Sequence, residues 1–254
     1  MLRSGLLRVT VAPQIMARRM IAEAVGTALL LAAVVGSGIM GERLAGGNVA
    51  IALLANTLAT GAMLVALILT FGPISGAHFN PAVTLADASQ GGLPWHEVPG
   101  YVMAQFMGAF SGVAAAHAMF GERVFSASQH IRAGGAQLFS EFIATFGLLA
   151  VIWGCARLRS PPPMNQAPFA VGAYITGAYW FTASTSFANP AVTLARSASD
   201  TFAGIRAADV PGFIAAQLAG AATATLLFRW LAPSLPADAA SVVVAHPSQT
   251  EAKV

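Results

Sequence analysis

One seven-residue string, NPAVTLA, occurs twice in this chain, beginning at Asn80 and again at Asn189. Each copy is followed by a valine-proline-glycine-aromatic pattern and by Ala-Gln and Gly-Ala pairs, and is preceded by a glutamate four residues before a threonine. Three patterns repeated in the same order indicate that the chain consists of two copies of one unit. The glutamate and glutamine of each copy are Glu23 and Gln105 in the first, and Glu141 and Gln217 in the second.

The composition places both copies in a membrane. Hydrophobic residues make up 56% of the 254 residues and charged residues only 9%, which is too little charge to cover the surface of a soluble domain. This excludes a disordered chain and, despite a net charge of +3, a nucleic-acid-binding protein. No cofactor or metal site is expected, because the one cysteine, Cys155, lies in an apolar stretch and the five histidines are scattered.

Six apolar stretches are long enough to cross the ~30 Å of hydrocarbon in a bilayer. Because unpaired backbone groups cannot face lipid, all six are predicted to be helices. Arginines precede the first stretch and follow the fourth, so the positive-inside rule places both termini in the cytoplasm. The predicted spans are residues 17–40, 48–71, 98–120, 136–156, 167–183 and 210–231.

The number of spans in each copy fixes how the two copies are related. Three is odd, so the second copy enters the membrane inverted relative to the first. Each NPA segment lies between the second and third spans of its half, and Asn followed by Pro is a helix start, so each is predicted to be a re-entrant half-helix. The predicted fold is a single all-α membrane domain over 1–254, made of six transmembrane helices and two half-helices. Its parts are an N-terminal cytoplasmic segment (1–16), repeats at 17–120 and 136–231, and a tail (232–254).

The doubled NPA motif, the glutamates of spans one and four and the paired AQxxG patterns resemble the major intrinsic proteins, that is the aquaporins and aquaglyceroporins, over roughly residues 17–231. The resemblance implies a right-handed bundle in the inner membrane and a homotetramer with one pore per subunit. It also supports a structural role for the two glutamates as acceptors for the backbone N–H groups of the re-entrant loops. The two glutamines are expected to bond the same loops.

The two half-helices are predicted to meet at a pore. Their positive N-terminal ends repel cations there, while the asparagine amides donate hydrogen bonds to neutral solutes. Backbone carbonyls of the preceding loops are expected to form a ladder of acceptors, and the resemblance implies that His78 lines or supports the pore rather than acting as a pH gate. The predicted motif residues are Asn80, Pro81, Ala82, Asn189, Pro190 and Ala191, and the pore-lining loop residues are Gly76, Ala77, His78, Phe79, Phe187 and Ala188.

In the family that the chain resembles, four positions outside the asparagine pair form a selectivity filter. Counting from the motifs assigns them to Thr60, Gly177, Ser186 and Val192. The arginine that is usual at the last position is missing, and small residues replace the Phe and His of water-selective members, which predicts a wide, weakly polar pore. Arg196, one helical turn beyond Val192, is expected to be solvated or interfacial rather than a substitute for the missing charge.

Together these features predict a passive channel for water and small uncharged solutes: glycerol-like polyols, urea, or undissociated metalloid acids such as arsenous acid. Weaker rejection of oxyanions or monovalent ions is also expected. The alternatives are a water-selective aquaporin, an ion- or proton-coupled secondary transporter that uses Glu23 or Glu141, and a junction or scaffold protein on the same fold. An enzyme is disfavoured because the sequence offers no nucleophile–base pair. The expected partners are water, small neutral solutes and the lipid bilayer.

Overall fold

The computed structural model describes residues 5–157 and 166–231, and every regular element in this part of the chain is helical. The predicted tail at 232–254 lies outside the described residues. Each half has two long helices, one short helix and a third long helix, and a single 3₁₀ turn, Ala207–Asp209, precedes the last helix. The helices are α1 (Gly5–Leu44), α2 (Val49–Ser75), α3 (Pro81–Ser89), α4 (Val98–Phe120), α5 (Gly135–Arg157), α6 (Ala167–Phe181), α7 (Pro190–Arg196) and α8 (Val210–Leu231).

Five of the long helices, α1, α2, α4, α5 and α8, are long and apolar enough to cross a membrane on their own within the described residues. The remaining one, α6, has 15 residues and extends about 22 Å at 1.5 Å per residue, less than the hydrocarbon thickness. Helix α1 is longer than its predicted span. It begins at Gly5 and includes most of the segment that was predicted to precede the first span.

Two equivalent helix pairs form the cores of the two halves: α1 packs along α4, and α5 along α8. Glycines make both contacts close. A Cβ atom added to Gly108 or Gly112 of α4 would overlap the backbone of α1 at Ala24 or Ala28, and one added to Gly220 of α8 would overlap α5 at Phe142. Small residues at these positions let the backbones approach where no hydrophobic force drives helices together in lipid.

Ion pairs and hydrogen bonds mark two opposite ends of the bundle. At the end where α8 stops, called the terminal end below, Arg19 pairs with Glu97 at 2.6 Å and Arg229 donates to Gln90 at 2.9 Å. At the other end, called the loop end, Arg43 pairs with Glu122 in the α4–α5 connection at 2.7 Å. Helix α3 runs toward the terminal end and α7 toward the loop end, so the two short helices point away from each other.

Candidate functional site

The two NPA motifs meet inside the bundle through their asparagines. The Asn80 side chain donates from Nδ2 to the carbonyl oxygen of Ala188 at 2.7 Å, and Asn189 donates to the carbonyl oxygen of Phe79 at the same distance. Each asparagine also caps its own half-helix, since its Oδ1 accepts the N–H of Ala82 or Ala191 at 2.9 Å. Pro81 and Pro190 stand at the first helical positions, where their missing N–H leaves no bond unmade.

The loops before the two asparagines have matching backbone conformations. Ala77 and Phe79 in the first loop have φ of 50° and 49°, and Ser186 and Ala188 in the second have 49° and 48°. Non-glycine residues rarely adopt this left-handed conformation, which costs of order 1–3 kcal/mol each and persists only where surrounding bonds hold it. Both loops therefore depend on side chains that fix their backbone.

Buried glutamates supply that support. Glu23 accepts the N–H groups of His78 and Phe79 at 3.0 and 2.7 Å, and Glu141 accepts those of Phe187 and Ala188 at 2.8 and 2.9 Å. Each carboxylate bonds the two residues directly before its asparagine. Both acids are therefore engaged in holding loops, by charge-assisted bonds that are stronger than neutral ones.

The two glutamines complete the same pattern. Gln105 donates to Glu23 at 2.8 Å and to the Thr84 hydroxyl at 2.9 Å. Gln217 donates to Glu141 at 2.6 Å and to Thr193 at 2.7 Å. Each threonine in turn donates to the carbonyl oxygen of its own asparagine. One network of the same residue types thus supports each half-helix, and the structure brings all four predicted supporting residues to the loops.

A cavity runs past the paired asparagines and is lined by residues of both repeats. It follows α6 from Ala167 to Tyr179, about 18 Å at 1.5 Å per residue. Its volume is about 70 Å³, so it is narrow over that length. Ala77, His78, Phe79, Phe187 and Ala188 of the predicted lining loops border it, together with both asparagines.

Two predicted lining residues differ from the rest. Gly76 lies outside the cavity wall because it ends α2 in a left-handed conformation, with φ of 87° and its N–H bonded to Gly72. His78 borders the cavity but its ring is tied to α3: Nδ1 lies 3.1 Å from the Thr84 hydroxyl and Nε2 lies 3.5 Å from the Asp87 carboxylate. These contacts join the loop to its half-helix.

Three of the four predicted filter positions, Thr60, Ser186 and Val192, line the cavity. The assignment of Gly177 is wrong, because Gly177 is exposed on the outside of α6. Tyr179 borders the cavity instead, and its hydroxyl donates to Thr60 at 3.3 Å. Two residues correspond to about 200° around a helix, so a count that misses the end of α6 by two residues selects the opposite face.

Arg196 also departs from its prediction, since it is neither solvated nor interfacial. Its side chain is 1% exposed, borders the cavity, and donates from Nε to the carbonyl oxygen of Ala203. The guanidinium carbon lies 3.4 Å from the centre of the Phe187 ring. Arg196 comes four residues, about one helical turn, after Val192, so the two side chains lie on the same face of α7, toward the pore.

Sequence reasoning also missed Arg132, in the connection between α4 and α5. This side chain folds inward, is 8% exposed, and donates to the carbonyl oxygens of Gly204 at 2.8 Å and Ser184 at 3.1 Å. The pKa of the neighbouring His130 is lowered, first by burial and then by the positive charges of Arg132 and Arg196. The loop end of the cavity is therefore positively charged, which no motif in the sequence signals.

Comparison with known proteins agrees with this architecture. A model of the family described as "Major intrinsic protein" matches residues 11–185. Aquaglyceroporin AqpS of Rhizobium meliloti is 54% identical over 214 residues, covering 84% of this chain and 90% of that protein. Aquaporin NIP1-3 of Oryza sativa is 37% identical over 185 residues, covering 70% and 62%. The X-ray structure of the aquaglyceroporin from Plasmodium falciparum superposes with a TM-score of 0.68 at 20% identity, covering 87% of this chain and 98% of the other.

Proposed function

The chain belongs to the major intrinsic protein family, a family of membrane channels, and on that premise we propose that it conducts water and small uncharged solutes down their gradients. The candidate solutes are glycerol-like polyols, urea and undissociated metalloid acids such as arsenous acid. The similarity to AqpS, which is named an aquaglyceroporin, supports solutes of the glycerol class. By family likeness we also propose a homotetramer in the cytoplasmic membrane with both termini in the cytoplasm.

The observation that carries this proposal is the valine at position 192. Val192 borders the cavity three residues after Asn189, where a guanidinium would add bulk, charge and a fork of donors. The guanidinium of Arg196 borders the cavity one turn further along α7, where it stacks on the Phe187 ring. The same stretch of cavity carries the hydroxyl of Ser186 and the phenol of Tyr179. Apolar and hydroxyl groups together suit a solute that has both CH and OH groups, as polyols do.

Tyr179 makes the filter narrower than the assignment of Gly177 predicts. The aromatic ring is buried at the cavity and its hydroxyl is bonded to Thr60. The pore therefore accepts small solutes one molecule at a time rather than forming an open duct. Cations are rejected by the two half-helix ends near Asn80 and Asn189, each carrying about half a positive charge, and by the guanidinium of Arg196 at the loop end of the cavity.

The test is a panel of solutes applied to proteoliposomes, with wild-type protein beside Val192→Arg. Wild-type vesicles should shrink and then reswell with glycerol and urea, and Val192→Arg should lower the glycerol rate at least about tenfold while water still passes. Val192→Leu is the matched control, because it keeps an apolar residue without the charge. Wild-type vesicles that pass water but no larger solute above protein-free vesicles would instead favour a water-selective channel.

The same vesicles test the other two candidates. A channel gives a glycerol flux that is linear in concentration and independent of an imposed pH gradient. A proton-coupled transporter would give saturable uptake that follows the gradient, although Glu23 and Glu141 are both occupied by loop bonds. A scaffold would leave the vesicles at baseline permeability despite folded protein.

A further inference from the structure

Two arginines at the loop end of the cavity are buried without an acidic partner. Arg196 is 1% exposed and Arg132 is 8% exposed. Neither takes part in any ion pair among the described residues. Because removing a charge from water is costly unless it is paired, two adjacent buried cations call for a compensating negative charge.

The acidic side chains of this region already accept hydrogen bonds from other groups. Glu141 accepts the backbone N–H groups of the second loop and the amide of Gln217. Asp209 accepts the Arg206 side chain and the backbone N–H of Arg132, and Asp200 accepts the backbone N–H of Gln129. The charge of Glu141 acts on both guanidiniums from a distance, but no carboxylate in the described part of the chain pairs directly with either one, so an anion from solution can still contact them.

The two arginines differ in what they still offer to a ligand. Arg132 is anchored from two of its nitrogens, to Gly204 and Ser184, and its guanidinium carbon lies 4.9 Å from the centre of the Phe187 ring. Arg196 donates only from Nε, to Ala203. Both of its terminal nitrogens lack a hydrogen-bond acceptor among the described residues, although the side chain is almost fully buried and borders the cavity.

A second unpaired donor borders the same cavity. The hydroxyl of Ser186 is buried and has no hydrogen-bond partner in the described structure. Ser186 directly precedes Phe187, the residue on which Arg196 stacks. An unused guanidinium fork and an unused hydroxyl thus both border the cavity, and Phe187 links them: Ser186 precedes it in the chain and Arg196 stacks on its ring.

From this arrangement we propose that Arg196 and Ser186 form a binding site for a small planar oxyanion, of the carboxylate class, at the loop end of the pore. The two terminal nitrogens of Arg196 bind the carboxylate in bidentate fashion and the Ser186 hydroxyl donates a further bond to it. Arg132 adds attraction without contacting the anion. The inference rests on the proposed function in one respect, because an anion bound there occupies the path of neutral solutes and slows them.

Binding of formate to the purified full-length protein in detergent tests the site, measured by calorimetry and by the thermal unfolding midpoint at neutral pH. Formate should bind saturably and raise the midpoint, whereas chloride at equal ionic strength should not. Arg196→Gln should weaken the apparent affinity at least about tenfold, and Ser186→Ala should weaken it severalfold. Arg123→Gln, which removes an exposed arginine of the α4–α5 connection, should bind formate as the wild type does.

The outcomes that overturn the site are equally definite. Wild-type protein that shows no saturable response to formate contradicts it, as does Arg196→Gln protein with wild-type affinity. If Arg196→Gln does not fold, Arg196→Lys and Ser186→Ala carry the test, since lysine keeps the charge but loses the planar fork, and wild-type affinity in both would overturn the proposal.

Failure of this site and failure of the proposed function give different results. Formate binding by a protein that passes neither water nor glycerol in vesicles supports the anion site and contradicts the channel. Glycerol flux without formate binding supports the channel and contradicts the anion site. Where both hold, formate should slow glycerol flux through wild-type protein more than through Arg196→Gln.

Discussion

At the scale of single residues, the buried glutamates are the positions where replacing one carboxylate oxygen by an NH₂ group should have a large effect on stability. Glu141 uses both carboxylate oxygens to accept donors, Phe187 N–H on one and Ala188 N–H with Gln217 on the other. A glutamine has one acceptor oxygen and an NH₂ group that would face those donors. Glu141→Gln should therefore leave buried N–H groups unpaired, at about 1–3 kcal/mol for each unsatisfied group.

We expect Glu141→Gln to lower both the thermal unfolding midpoint in detergent and the glycerol flux in vesicles. Glu42→Gln, which changes an exposed glutamate near the end of α1, should change neither. A Glu141→Gln protein as stable as the wild type would show that the loop before Asn189 does not depend on this carboxylate.

Residue spacing also explains what could and could not be predicted at the filter. Thr60, Ser186 and Val192 were found by counting because each is tied to an NPA motif through an unbroken helix or a loop held by fixed bonds. Tyr179 was missed because its position depends on where α6 ends. Arg196 and Arg132 were misjudged or missed because the sequence does not reveal that their guanidiniums stack on Phe187.

At the scale of elements, the close contact between α1 and α4 depends on positions that carry no side chain. A Cβ atom on Gly108 would overlap the carbonyl group of Ala24, and backbone atoms cannot yield as a flexible side chain does. Gly108→Ala should therefore separate the two helices and lower stability by about 1–3 kcal/mol.

The matched control for this prediction is Gly154→Ala in α5. A Cβ atom there has nothing within 4 Å, so the substitution should be neutral or slightly stabilising, because alanine is favoured over glycine within a helix. Thermal unfolding of both variants in detergent measures the difference. Equal midpoints for the two variants would mean that the close approach at Gly108 does not determine the packing.

Patterns in the sequence predicted the elements, and for α4 and α8 also both ends, but they did not predict the start of α1 or the end of α2. The half-helices followed from Asn-Pro starts too close to neighbouring spans to cross, and the structure gives α3 nine residues and α7 seven. The start of α1 at Gly5 was not predicted, since Pro13 interrupts the mildly apolar stretch that precedes the first span. Helix ends are weakly encoded because capping and tertiary contacts decide them more than composition does.

At the scale of the whole molecule, the order of the repeats fixes which segments share a side of the membrane. The α4–α5 connection and the α1–α2 turn lie at the loop end, and the turn between α3 and α4 lies at the terminal end with the last residues of α8. Orientation then depends on the arginines alone, and the positive-inside rule assigns the terminal end to the cytoplasm.

Cysteine labelling in intact cells tests this orientation, in a Cys155→Ser background that removes the one native thiol. Arg123→Cys, exposed at the loop end, should react with a membrane-impermeant maleimide added outside. His96→Cys, exposed at the terminal end, should react only after the cells are permeabilised. Both cysteines should react after permeabilisation, so a difference between them in intact cells reports the side of the membrane and not a difference in reactivity. The opposite pattern would mean that the protein has the opposite orientation in the membrane. Labelling of both positions from outside would contradict the inverted repeat, since an odd number of membrane crossings separates α3 from the α4–α5 connection.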